Sequence, residues 1–175
     1  MHPTDAGPVT RALRATGRLL LRAPWPLALL LVVAWALLIW DLSSHAVPKP
    51  VTPSLFWEVA SNLAHAPLFG ILTLFAAGLL LRRRDGRWPE AGAGRFALVA
   101  ALVLAYGLVD EWHQSHVPGR DSSAFDALTD LVSALMVLWI VRSLGEPVGD
   151  DRRLLRRLGT GVVLCVASAL LASLA

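Results

Sequence analysis

The sequence predicts an all-α fold, a polytopic membrane bundle of about five transmembrane helices with its N-terminus in the cytoplasm. Three observations carry that expectation. The 175 residues are 55% apolar with a mean hydropathy of +0.58, a burden that a compact membrane bundle accommodates and a soluble domain of this size does not. The apolar residues fall into five runs rather than being spread along the chain. The arginines fall in alternate connections between those runs. Length argues for one domain, divided into a basic N-terminal segment over 1–24 and a membrane-helix domain over 25–175.

The first run, from about Trp25 to Trp40, has no charge and carries Trp25, Trp35 and Trp40, two of them near its ends where indoles favour the membrane interface. Arg11, Arg14, Arg18 and Arg22 precede it. A secretory signal has this shape too, but no small-residue cleavage site follows cleanly and more apolar sequence comes next, so a span is expected. The second run extends from about Leu63 to Leu81 and the third from about Phe96 to Val109. The third is short, which places Asp110 and Glu111 near headgroup level. The fourth runs from about Ala124 to Val141, the fifth from about Leu158 to Ala175. In the fifth, Gly161, Cys165, Ala169 and Ser173 recur at four-residue spacing, a stripe on which helix backbones approach closely, so Cys165 reads as a packing residue. As the only cysteine it excludes an intramolecular disulfide and a thiolate metal cluster.

Arginine placement predicts orientation. Arg82, Arg83, Arg84, Arg87 and Arg95 follow the second run, and Arg142, Arg152, Arg153, Arg156 and Arg157 follow the fourth. The other two connections hold Lys49 and Arg120. The bias therefore puts the Asp110-to-Asp126 connection, the proline-bearing connection after Asp41 and the C-terminus outside. The net charge of +3 reads as topology control and lipid-headgroup attraction. With no aromatic-interleaved basic face, nucleic acid is not an expected partner.

The polar residues cluster where apolar ones are expected. If the third helix continues through Gln114, Asp110 sits one turn from His113 and Gln114, and Glu111 projects about a quarter turn away. Asp126, Asp130 and Ser133 form a stripe down the fourth helix. An aspartate at 130, more than a turn below the surface, must face protein or a water-filled cavity. Pro118-Gly119 marks a turn that folds Arg120 back over the cluster, and His65 opens the second helix on the same side. These residues fit either ion pairs joining helices, with Arg120 clasping Asp110 or Asp126, or a site. His116, His45, Asp41, Glu58 and Lys49 read as interfacial or solvated residues.

Asp110-Glu111-x-His113-Gln114, then Pro118-Gly119-Arg120 and Asp126 six residues on, resemble the VanZ-like family of small bacterial membrane proteins, whose namesake is associated with resistance to a glycopeptide antibiotic, teicoplanin. The similarity covers about residues 40–142 and includes Leu42-Ser43-Ser44 and His65. The chain departs from the family pattern at Ser61 and Asn62, where the family often has Asp-Lys, at Phe69 in place of tyrosine, at Asp130 in place of asparagine and at Ser133 in place of glycine. The resemblance implies a bacterial cytoplasmic (inner) membrane protein of the cell envelope, and leaves the reaction unnamed.

Three function classes fit. In the first, an outer-side site binds a lipid headgroup or lipid-linked cell-wall precursor, with His65, Gln114, Arg120 and Asp130 as ligand-binding residues. In the second, a hydrolase or transferase works on a lipid-linked substrate at the outer leaflet. Asp110, Glu111 and Asp126 then supply acid–base or metal-binding oxygens, His113 is a base, and Arg120 holds a phosphate or carboxylate through two donors. No cofactor is evident. Oxygen and imidazole ligands would suit Mg, Mn or Zn, but no spacing is diagnostic of a metal. No activated serine or cysteine is visible, Ser122 and Ser123 being loop residues. A transporter using Asp126 and Asp130 is the third class, disfavoured by the absence of paired repeats.

Overall fold

The computed structural model describes residues 6–46, 52, 54–82, 88, 92–120, 123–146 and 150–174. Lys49, the prolines at 48, 50 and 53, Arg83, Arg84, Arg87, Ser122 and Ala175 lie outside them. The described residues form seven helices and no strand: α1 (Pro8–Arg22), α2 (Trp25–Ser43), α3 (Leu55–Leu63), α4 (His65–Leu80), α5 (Ala93–Gln114), α6 (Ala124–Leu144) and α7 (Asp151–Leu174). Five stretches are long and apolar enough to cross a membrane: α2, α3 with α4, α5, α6 and α7. The chain is a multi-pass integral membrane protein, as its apolar runs predict.

Three boundaries differ from the apolar runs, each for a local reason. The second span begins earlier, at Leu55, and breaks at Ala64. Pro67 cannot donate to the Leu63 carbonyl, and its ring crowds that turn. The third helix does continue through Gln114, so the polar motif is helical rather than a loop. The fifth begins at Asp151, because arginines extend a helix into water at little cost.

The basic N-terminal segment is itself a helix, starting with Pro8 at its first position and stopping before Pro24. It is fixed to the arginine-rich end of the bundle by groups that helix ends leave unsatisfied. Asp151 accepts the backbone N–H groups of Val9 (3.0 Å) and Thr10 (2.9 Å) and the Thr10 hydroxyl (2.6 Å), capping α1 from a different helix. Arg14 donates to the Leu144 carbonyl at the end of α6 (2.7 Å) and to the Glu146 carbonyl. Arg82 donates to the Ala23 carbonyl (2.7 Å).

Helix α6 packs against α4, α5 and α7, and α2 lies against α4. The core between them is built from Ile39, Phe69, Leu72, Val99, Val103 and Leu138 with small residues such as Ala76 and Ala134. In lipid, association rests on packing and interhelical hydrogen bonds rather than on the hydrophobic effect, and several such bonds tie the described helices. Trp35 Nε1 donates to the Leu68 carbonyl (2.8 Å). The Tyr106 hydroxyl donates to Ala36 (2.5 Å), the Ser133 hydroxyl to Ala66 (2.5 Å), and Asn62 Nδ2 to Ser173 Oγ (3.0 Å). The small-residue stripe of α7 behaves as expected: Gly161 and Ala169 are buried, a Cβ at Gly161 would lie 3.4 Å from Met136, and Cys165 is a free, half-buried packing residue.

Candidate functional site

The polar residues gather at the end of the bundle opposite α1, on three helices. α4 starts there with His65, α5 ends there with Asp110, Glu111 and Gln114, and α6 begins there with Asp126 and Asp130. Asp110 and Asp130 are fully buried, and Glu111, Gln114 and Asp126 nearly so. His65 is half-buried and reaches Asp130, its Nδ1 lying 3.2 Å from Oδ1. Glu111 Oε2 accepts the backbone N–H of Ser123, the residue that caps α6, at 2.8 Å. Gln114 Nε2 donates to Asp110 Oδ2 at 2.7 Å, one helical turn apart.

Burial leaves several carboxylate oxygens without a hydrogen-bond partner among the described residues: Asp110 Oδ1, Glu111 Oε1, Asp126 Oδ1 and Asp130 Oδ2. Four acids and one histidine in so small a region is an uncompensated arrangement, since a buried charge costs several kcal/mol unless paired. A bundle built only for stability would place leucine there.

Beside this cluster lies a cavity of about 370 Å³ between α2, α3, α4 and α5, its polar wall formed by His65, Asp110, Gln114 and Arg120. Phe69, Leu68 and Ile39 supply its apolar wall, and Trp57 and Leu42, both partly exposed, stand at its rim. His65 belongs to both regions, lining the cavity and contacting Asp130. The volume falls in the range of small-ligand pockets, mostly apolar with a few convergent polar groups.

The turn that delivers Arg120 is well specified. Arg120 N donates to the Val117 carbonyl at 3.1 Å, and Gly119 has φ of +80°. Proline followed by a positive-φ glycine is the pattern of a type II turn. The guanidinium donates to the Leu42 carbonyl at the end of α2. It makes no ion pair with Asp110 or Asp126 among the described residues, so the clasp alternative is not what forms there. Its Nε is buried without a partner among the described residues.

His113 also stands apart from the carboxylates. Its ring stacks on Trp40 with centroids 3.8 Å apart, and Nε2 lies 2.9 Å from Ser44 Oγ. It ties α5 to α2, as a residue two positions beyond Glu111 on a helix must point to another side. His116 and His45 are exposed and bond to backbone carbonyls of their own turns. Glu111, expected to project away from Asp110, does so, yet remains inside the site. Asp110 meets the cavity and Glu111 meets the N-terminus of α6, so two faces of one helix are used.

Sequence reading missed Gly107. A Cβ there would lie 2.8 Å from Asp130 Oδ2, so the glycine makes room for the aspartate. A glycine one turn before Asp110 in an apolar helix is the signal of close approach that could have found it. Ser43 and Ser61, noted in the sequence only for their place in the family pattern, also line the cavity, as does Trp57, which carries no such signal. Comparison with family models, curated proteins and solved structures gives no match to any of them.

Proposed function

We propose that the chain is a VanZ-like membrane protein of the bacterial cytoplasmic membrane whose outer-side polar cavity binds a phosphate-bearing lipid headgroup or lipid-linked cell-wall precursor. The observation that carries this reading is the cavity itself: a pocket with an apolar wall for an acyl or prenyl stem, and with Arg120, Gln114 and His65 to meet a polar head. Arg120 has the planar donor geometry that suits phosphate or carboxylate, and its Nε has no partner among the described residues. The bias of arginines toward the opposite end of the bundle supports an outward-facing site. Binding of this kind alters how accessible an envelope molecule is to others, which is how such a protein would change envelope properties or glycopeptide sensitivity.

A membrane hydrolase or transferase acting on a lipid-linked substrate at the outer leaflet is the second reading. What favours it is His65 in contact with Asp130 at the edge of the cavity, an imidazole oriented by a carboxylate as a general base requires. In that reading Asp110, Glu111 and Asp126 supply further proton-transfer oxygens, and His113, stacked on Trp40, has no part.

Lipid and cell-wall-precursor analysis of cells with and without the gene, complemented by wild type or Glu111→Gln, tests both. The enzyme reading predicts a product that disappears in Glu111→Gln. The binding reading predicts a change in the pool or exposure of one intact molecule. No difference in either class would contradict the proposal.

A further inference from the structure

We propose that His65, Glu111 and Asp130 form a binding site for one divalent transition-metal ion. One ligand atom from each of the three residues lies within 4.8 Å of the others. Two ligands about 2.1 Å from a common ion stand roughly 3.0 Å apart at right angles, about 3.4 Å apart at the tetrahedral angle and up to about 4.2 Å apart across the ion. The His65 Nδ1 to Asp130 Oδ1 separation of 3.2 Å already falls in that range, and side-chain rotation would have to close any edge longer than about 4.2 Å. The ligands come from three helices, α4, α5 and α6, which is how bundle cores assemble metal sites.

The cluster also holds unpartnered oxygens beyond what an acidic patch would show. Among the described residues Asp130 is fully buried with Oδ2 unbonded, and Glu111 offers Oε1 because the Ser123 N–H occupies Oε2. Asp126, outside the group of three, is also buried, with Oδ1 unbonded among the described residues. No arginine or lysine among the described residues forms an ion pair with these acids. A dication would supply the missing positive charge and occupy the free lone pairs. The imidazole ligand favours a transition ion over magnesium or calcium. Because His65 also lines the cavity, an ion held there would stand at its wall. The inference goes beyond the headgroup reading and does not depend on it, since metal binding is measured with no precursor present.

The test uses the full chain, free of any histidine tag, purified in detergent, stripped with chelator and titrated with Mn²⁺, Co²⁺ or Zn²⁺, with Mg²⁺ for comparison. The expected result is one transition ion per chain, with affinity falling about tenfold or more in Glu111→Gln and Asp130→Asn and unchanged in Asp151→Asn and Cys165→Ser. Absence of stoichiometric binding, or binding that Glu111→Gln and Asp130→Asn leave intact, overturns the site. If those variants do not elute as folded protein, the wild type decides. Pulsed electron paramagnetic resonance of bound Mn²⁺ should show coupling to an imidazole nitrogen, and the spectrum of a fully hydrated ion overturns the proposal.

Discussion

Gly107 and Asp130 show how tightly the site constrains single residues. Alanine at 107 places a methyl 2.8 Å from Asp130 Oδ2, an overpacking of the kind that costs about 1–3 kcal/mol. Gly107→Ala should therefore lower the unfolding midpoint in detergent, while alanine at exposed Gly159, whose added methyl would meet no described atom beyond its own turn within 4 Å, should not. Glu111→Gln should behave oppositely. The amide oxygen still accepts the Ser123 N–H, and no carboxylate charge is buried, so the folded protein should be as stable as wild type or more so, while in the enzyme reading its product disappears. Stability falling with function in Glu111→Gln would mean that the carboxylate is structural. At this scale the sequence was legible where chemistry was unusual for its surroundings, as with Asp110, Glu111 and Asp130 in apolar helices. It was not legible where a role depends on which neighbour arrives. Arg120 meets the Leu42 carbonyl and His113 meets Trp40 and Ser44, and neither partner is near in sequence.

Among the elements, the broken second span matters most. Pro67 separates α3 from α4, and α3 then packs on α7, where Asn62 Nδ2 meets Ser173 Oγ. Straightening that span should draw α3 away from α7 and reshape the cavity between α2, α3, α4 and α5. In a Cys165→Ser background, cysteines at 62 and 173 should form a disulfide efficiently, and adding Pro67→Ala should reduce its yield. Equal yield would show that the proline does not set the bend. The α1 helix depends on a cap borrowed from α7. Asp151→Ala should loosen it, since the α1 end then loses its cap, seen as faster proteolysis after Arg18 or Arg22 with the membrane core unchanged. The five apolar runs were readable because lipid imposes length and composition on any span. The helical state of the basic segment was not, since its contacts with Asp151, Leu144 and Glu146 come from distant residues.

For the whole molecule, two ends of different chemistry face each other across the bundle. One carries α1 and the arginines, and the other carries the carboxylates and the cavity. The arginine bias predicts that fusions at residues 90 and 150 report from the cytoplasm and a fusion at Gly119 from outside. A cytoplasmic signal at Gly119 would remove the outer-leaflet reading. The most direct measurement of the central proposal, a headgroup held in the cavity by Arg120 and Gln114, is native mass spectrometry of the purified chain released from nanodiscs containing lipids of defined headgroup. Wild type should retain one phosphate-bearing molecule per chain. Arg120→Ala and Gln114→Ala should each lose most of it, and Arg120→Lys should retain an intermediate share, because lysine restores charge without the two-pronged donor. Equal retention by wild type and Arg120→Ala, or retention of neutral and phosphate-bearing lipids alike, would contradict the account.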